Sequence, residues 1–230
     1  MSSVSGHDGE RISVVVPCYN CRTYVGEALE SILSQTRRVD EIIVVDDGST
    51  DGSGDEIARF ASHARYVRQQ NQGIAGARNC GIALAEGSLL AFLDADDLWP
   101  AGSIIARLEP LLADSTIAAS FGLVEQFATG GASVAQLPAR QPGRLIGAML
   151  ARRAVFTGIG WFDASLKVGE TLDWMARLDE SGARTVTVDQ LVLRRRIHAS
   201  NTVRGAAQMH TDYLRLLRSA IARRRAEAAK

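Results

Sequence analysis

Apolar runs that stop abruptly on polar residues constrain this chain more than any other feature. Ile12-Ser-Val-Val-Val16 is closed by Pro17, Glu41-Ile-Ile-Val-Val45 by Asp46 and Asp47, and Ser88 to Leu93 by Asp94. Such β-branched and apolar runs, with little polar alternation, are strands buried on both faces. Between them the period becomes helical. Val25, Ala28, Leu29, Ile32 and Leu33 fall on one stripe from Tyr24 to Leu33, and a small-residue helix is predicted from about Ala75 to Ala85. An amphipathic segment from Ile57 to Phe60 and a short strand near Tyr66 and Val67 occupy the interval. Strands alternating with helices define an α/β fold whose mostly parallel sheet is covered on both faces. Ligands of such sheets sit outside the carboxyl ends of the strands. The unusual polar residues collect there: Pro17-Cys-Tyr19-Asn20, Asp46-Asp47 and Asp94-Ala-Asp96-Asp97.

The second half is less regular. Ser120 to Gly143 shows no clear periodicity and reads as short strands with loops. Order returns from Leu145 to Arg153 and around Trp161-Phe-Asp163. A helix from about Glu170 to Leu178, strands near Thr185 to Val188 and Leu191 to Ile197, and a long last helix are expected to complete a single domain over residues 1–230.

Composition narrows the partners. The 26 Lys and Arg balance 26 Asp and Glu, which argues against a nucleic-acid partner gripped by a basic face. No apolar run approaches the roughly 18–20 residues that span a bilayer. No charged leader precedes an apolar stretch, so the expected location is cytoplasmic. Cys18, Cys21 and Cys80 are too few and odd in number for a disulfide framework. Cys18 and Cys21 form a C-x-x-C, the spacing of a thiol redox pair or half a zinc site, but no second ligand pair follows it. The simpler reading is two small residues lining a loop after a strand.

Asp94-Ala-Asp96-Asp97 is the most informative element. A D-x-D at a strand end aims alternate carboxylates from a turn, and hard oxygen ligands in an open site suit Mg²⁺ or Mn²⁺ on a diphosphate. The same turn also reads as a cap for the helix after Trp99-Pro100. Its company favours the metal: Asp46-Asp47-Gly-Ser-Thr-Asp51 upstream, and Asn71-Gln-Gly73-Ile-Ala-Gly76-Ala-Arg78-Asn79-Cys-Gly81 between them. A strand-end acid can accept hydrogen bonds from a pyrimidine ring or a ribose hydroxyl, and glycines let backbone approach a nucleotide. Arg78 offers a donor fork for a phosphate or base carbonyl. Singly, each also reads as turn chemistry, a helix start or a surface ion pair.

In this order the motifs resemble the nucleotide-sugar half of family 2 glycosyltransferases. The resemblance continues through Gly160-Trp-Phe-Asp163-Ala-Ser-Leu166 to Arg196-Ile-His198-Ala-Ser-Asn201, about residues 11 to 204. It implies a GT-A type fold, with a Rossmann-like mostly parallel central sheet flanked by helices and a smaller antiparallel part in the second half. A nucleotide-binding half would cover about 11–100 and an acceptor-side half about 101–204. The implied activity is inverting, metal-dependent transfer from a nucleoside-diphosphate sugar, a UDP-sugar first, to an unknown acceptor, with Mn²⁺ or Mg²⁺ as cofactor. Carried over by position, Pro17, Tyr19 and Asn20 would hold base and ribose, with Asp46 the partner of the base. Arg78 would help to hold the nucleotide, and Asp94 would face the ribose or metal. Asp96 would be the principal metal ligand, and His198 would approach the diphosphate or its metal.

The family places Glu-Asp at a helix start, with the Asp as general base and an Arg six residues on. The colinear stretch is Gly169-Glu170-Thr171-Leu-Asp173-Trp174-Met-Ala-Arg177, with Thr171 where the base is expected. Glu170 and Asp173, three apart and on one helical face, are the candidate bases. The alternatives are a helix-start acid for Glu170 and a salt bridge to Arg177 for Asp173. Trp174 reads either as core or as a platform for a sugar face. Thr171 keeps open a non-catalytic sugar-nucleotide-binding subunit. A sugar nucleotidyltransferase would need a Gly-rich basic loop after the first strand, which Pro17-Cys-Tyr-Asn-Cys21 does not supply. Finally, about 205–230 reads as a basic amphipathic helix. Met209, Tyr213, Leu216, Leu217, Ala220 and Ile221 form one stripe, opposite Arg215, Arg218 and Arg223 to Arg225. It reads as a docked helix with a solvated face, or as a contact for anionic lipid at the inner face of a membrane or for a partner protein.

Overall fold

The computed structural model describes residues 9–130 and 140–198. Strands β1 (Ile12–Cys18), β2 (Glu41–Asp46), β3 (Arg65–Arg68) and β4 (Leu89–Phe92) alternate with helices α1 (Val25–Leu33), α2 (Ser53–Ala58) and α3 (Gly73–Leu84). After α4 (Ser103–Ala113) come β5 (Ile117–Ala128), β6 (Gln141–Gly143), β7 (Leu150–Arg152), α5 (Arg153–Ile159), α6 (Glu170–Glu180) and β8 (Arg184–Ile197). One eight-stranded sheet runs through both halves in the order β3-β2-β1-β4-β7-β5-β6, with β8 on β5. The pairs among β1 to β4 are parallel, whereas β7 is antiparallel to both β4 and β5. The α/β expectation therefore holds, including the antiparallel part.

Every residue of β1 is buried, because helices cover both faces of the sheet. Val14, Val16, Ile42 and Val44 pack with Val25, Leu29 and Ile32 of α1 and Ile104 and Leu108 of α4. The alternate residues Val15, Ile43, Val45 and Phe92 pack with Ala77 and Ile82 of α3, Phe156 of α5 and Trp174 and Leu178 of α6. At Gly81 the helix comes so close that a Cβ would lie 2.2 Å from Val15 Cγ1, so only glycine fits. Pro17 is tolerated in this central strand for a geometric reason. Leu93 N donates to Val15 O and Asp47 N to Cys18 O, so alternate residues of β1 face β4 and β2. Pro17 faces the β4 side, where the ladder has ended at Val15↔Phe92, and its missing N–H leaves no gap.

Some boundaries differ from the sequence reading. Of the short strands expected between Ser120 and Gly143, β6 is one, at three residues, but the first part of the stretch belongs instead to one twelve-residue strand, β5. Residues 131–139, in the rest of that stretch, lie outside the described residues. The two strands expected before Ile197 are one, β8. Its pairing with β5 passes from Phe121↔Thr187 to Leu123↔Leu191, so a bulge absorbs the polar Asp189-Gln190 without ending the strand. Helix α2 starts earlier than Ile57, where Asp51 Oδ1 accepts from Ser53 N at 2.9 Å. Helix α5 had no sequence signal, since only Phe156 of its seven residues is buried. The C-terminal helix expected at 205–230 lies outside the described residues, as does Asn201.

Candidate active site

The chain runs from β1 outward through β2 to β3 and then returns to place β4 on the other side of β1. Strand order reverses between β1 and β4, and their carboxyl ends open the crevice where ligands of such sheets bind. The loop Pro17 to Asn20 leaves β1 there, and Asp94 to Asp97 leaves β4 beside it. Tyr19 is 52 % exposed, whereas Pro17 is buried as a strand residue. Asn20 stands in the left-handed region at φ 51. Its N–H donates to Ser49 Oγ at 2.9 Å and its Oδ1 accepts from Thr50 N at 2.8 Å, tying the β1 and β2 loops together.

Asp46 and Asp47 face inward. Asp46 Oδ1 accepts from Ser49 N at 2.8 Å and Oδ2 from the Tyr66 hydroxyl at 2.7 Å, with Arg68 at 3.5 Å. Burial alone would raise its pKa, but the Ser49 and Tyr66 hydrogen bonds and the Arg68 charge outweigh burial and hold the carboxyl below its usual range. The expected contact of Asp46 with a base requires a carboxylate open to the crevice, and in this structure that side chain is fully enclosed. Asp47 accepts from Gln69 Nε2 at 2.7 Å, Gln72 N at 2.9 Å and Gly73 N at 2.8 Å. It caps α3 from the end of β2 and satisfies donors that the helix start cannot pair itself.

After β4 the carboxylates alternate as the D-x-D spacing predicts. Asp94 and Asp96 are partly open, with side chains 32 % and 22 % exposed, while Ala95 and Asp97 turn inward. Asp96 Oδ2 lies 3.0 Å from His198 Nε2, which arrives from the end of β8. Burial and the charge of Asp94 raise the pKa of Asp96 against the pull of His198. Burial and the charges of Asp96 and Asp94 raise that of Asp97 well above the carboxylate range, although Arg196 N donates to its Oδ1 at 2.8 Å. Three carboxylates thus crowd one turn, and that crowding with burial favours the protonated form of Asp97.

Arg78 joins this turn to the start of α6. Nη2 donates to Asp94 Oδ1 at 2.8 Å, and Nη1 to Glu170 Oε1 at 2.7 Å and Thr171 Oγ1 at 3.0 Å. The side chain is 2 % exposed, and its guanidinium carbon lies 5.5 Å from the centre of the Phe162 ring. Desolvation works against the charge, but Asp94 and Glu170 outweigh it and raise the pKa. Arg78 was expected to reach the nucleotide itself. Here it is enclosed and pairs with Asp94 and Glu170, and its Nε is buried without a hydrogen-bond partner.

The two candidate bases separate. Glu170 is tied to Asp94 through Arg78, and Thr171 Oγ1 donates to the same Oε1 at 2.9 Å. Asp173 Oδ2 instead receives Arg177 Nε at 2.8 Å, and Arg177 also binds the carbonyls of Ile159 and Trp161. Trp174 is core rather than a sugar platform. It is fully buried, stacks on Phe156 at 4.5 Å and donates to Gly160 O at 3.0 Å.

Sequence reasoning passed over Gln69 and Glu27, and gave no site role to Tyr66, read only as a strand residue, or to Arg196, read only as part of the motif around His198. Tyr66 and Arg68 had a usable signal, since residues two apart on a strand share a face and both meet Asp46. Among the described residues no group of three or more His, Cys, Asp or Glu is arranged to hold a metal ion. Asp96 and His198 supply one oxygen and one nitrogen donor.

The fold is that of the GT-A glycosyltransferases. A mannosyltransferase from Pyrobaculum calidifontis, solved in complex with GDP-Man and Mn²⁺, superposes with a TM-score of 0.68 at 23 % identity, over 93 % of this chain and 64 % of that one. S. aureus TarS, as a fragment in complex with UDP-GlcNAc, gives 0.66 at 21 % identity, over 83 % of this chain and 60 % of that one. The model of glycosyl transferase family 2 matches residues 13–153, and the chain belongs to that family. Among curated relatives, an uncharacterized glycosyltransferase of Nostoc sp. is 46 % identical over 93 residues, 39 % of this chain and 29 % of that protein. The Escherichia coli UDP-Glc:alpha-D-GlcNAc-diphosphoundecaprenol beta-1,3-glucosyltransferase WfaP is 41 % identical over 92 residues, 39 % of this chain and 37 % of WfaP. The matched stretches thus span about a third of those relatives.

Proposed function

We propose that this chain transfers a sugar, with inversion, from a nucleoside-diphosphate sugar, a UDP-sugar first, to an acceptor hydroxyl. The observation that carries the reading is the Asp96–His198 pair at the β1/β4 switch point, joined through Asp94 and Arg78 to Glu170. In the reaction the acceptor oxygen bonds to the anomeric carbon as the bond from that carbon to the diphosphate breaks. Glu170 takes the acceptor proton, and the nucleoside diphosphate departs. Arg78 orients Glu170 and Asp94 together, while Tyr19 and Asn20 line the side of the crevice assigned to base and ribose. A positioned carboxylate base contributes on the order of 10²–10⁴ in rate.

The donor chemistry of the turn fits a hard divalent cation. Asp96, with His198 beside it, would hold Mn²⁺ or Mg²⁺. When bound, the cation supplies charge neutralisation for the departing diphosphate. A thermal-shift series of nucleoside diphosphates and their sugars, with and without Mn²⁺, tests the reading. Stabilisation by one nucleotide series that depends on Mn²⁺ supports it, and none across the series would sink it.

A second reading has its own observation. Thr171 stands where the family's base is expected and shares Arg78 with Glu170, the arrangement of a sugar-nucleotide-binding subunit without its base. If wild type binds donor but transfers nothing while Thr171→Asp transfers, this second reading replaces the first. No observation favours a sugar nucleotidyltransferase. No helix among the described residues is long and apolar enough to cross a membrane. A cytoplasmic location is our proposal and rests on the unpaired thiols Cys18, Cys21 and Cys80. Contact of the basic C-terminal segment with anionic lipid or a partner protein is likewise a proposal, resting on its sequence pattern.

A further inference from the structure

One side chain joins the end of β8 to the turn after β4 and to the first turn of α1. Arg196 donates its backbone N–H to Asp97 Oδ1 at 2.8 Å, Nε to the Asp96 carbonyl at 2.8 Å and Nη2 to Glu27 Oε2 at 2.5 Å. Its guanidinium carbon lies 4.7 Å from the centre of the Tyr24 ring and 4.8 Å from that of Phe127. The Tyr24 ring in turn packs on the His198 imidazole, with centroids 4.7 Å apart. Backbone bonds between Leu98 and Arg194 continue the seam.

Asp96 and His198 are 102 residues apart in sequence, so neither local segment sets their separation. A functional pair needs placement to within about 0.5 Å, which requires supporting groups on both segments. Arg196 is bonded to both at once, and a planar guanidinium can reach the Asp96 carbonyl and Glu27 in different directions where an ammonium cannot.

We propose that Arg196 is the positioning residue of the Asp96–His198 pair, fixing the carboxylate turn and the imidazole-bearing strand end against Tyr24 and Glu27. Its importance for the donor rests on the proposed reading of that pair, whereas the geometry itself can be tested without any ligand. The chain has four histidines, so the His198 ring resonances are identified by their loss in His198→Gln. In the metal-free full-length protein, Arg196→Met shifts these resonances toward their positions in Asp96→Asn. Arg196→Lys and Glu27→Ala shift them partway, and His63 stays in place. In the same variants the affinity of Mn²⁺ with UDP falls by about 10–100-fold for Arg196→Met, the usual loss when a group that orients a ligand is removed.

Because Arg196→Met removes a buried side chain, Arg196→Lys and Glu27→Ala decide the matter if it fails to fold; the Glu27 side chain is 55 % exposed. Unmoved His198 resonances in both of those folded variants overturn the proposal. If Asp96→Asn leaves Mn²⁺ with UDP binding unchanged while the ring shifts persist, the metal reading falls and the positioning role stands.

Discussion

Arg78 Nη1 lies 2.7 Å from Glu170 Oε1, joining α3 to the start of α6 across 92 residues of sequence. The other terminal nitrogen of the same guanidinium holds Asp94 at 2.8 Å. A single cation therefore sets the distance between an acid of the D-x-D turn and the proposed base.

Replacing Arg78 with Met leaves two carboxylates facing each other without their cation. Breaking a buried pair by removing one partner costs roughly 3–5 kcal/mol, and Arg78 is 2 % exposed. Arg78→Met is expected to melt far below wild type, and addition of Glu170→Gln to recover part of the loss. Independent, additive effects of the two changes in denaturant titrations would contradict the coupling.

Glu170→Gln keeps the size of the side chain and removes its capacity to take a proton. Donor turnover is expected to fall by on the order of 10²–10⁴ while nucleoside-diphosphate affinity stays within about twofold. Asp173→Asn, which loosens Arg177 from the segment at Ile159 and Trp161, is expected to lower stability more than turnover. Normal turnover in Glu170→Gln removes it as the base.

Acid stability reports on Asp46. Its folded pKa is depressed, so the stability it contributes is present above the unfolded value of about 3.9 and is lost as pH falls through the folded value. Tyr66→Phe removes the hydroxyl donor to Oδ2 and leaves a buried oxygen with poorer satisfaction, a cost of about 1–3 kcal/mol. The acid-unfolding midpoint of Tyr66→Phe is expected at higher pH than wild type, read by circular dichroism. Coincident midpoints would contradict the role assigned to Tyr66.

The strands of the first half were legible because burial on both faces removes polar alternation, so Ile12 to Val16 and Glu41 to Asp46 announce themselves. So was the alternation of Asp94 and Asp96 against Asp97, a property of backbone geometry alone. The partners of these acids were not. That Asp47 caps α3, that Tyr66 closes over Asp46 and that Arg196 reaches Glu27 all depend on tertiary pairing, in the last case across 169 residues. β5 was missed in part because its far half is only partly buried, and hydrophobic period marks a strand only where one face is dry.

The central claim is a cation-assisted diphosphate site at Asp96 and His198. Calorimetric titration of the full-length protein with UDP, with GDP as the alternative, in Mn²⁺ and in chelator tests it most directly. The expected result is binding at least about tenfold tighter in Mn²⁺, with the difference abolished by Asp96→Ala and reduced about 10–100-fold in metal affinity by His198→Ala. Equal affinity with and without Mn²⁺, or an Asp96→Ala protein that keeps the full Mn²⁺ effect, would contradict it.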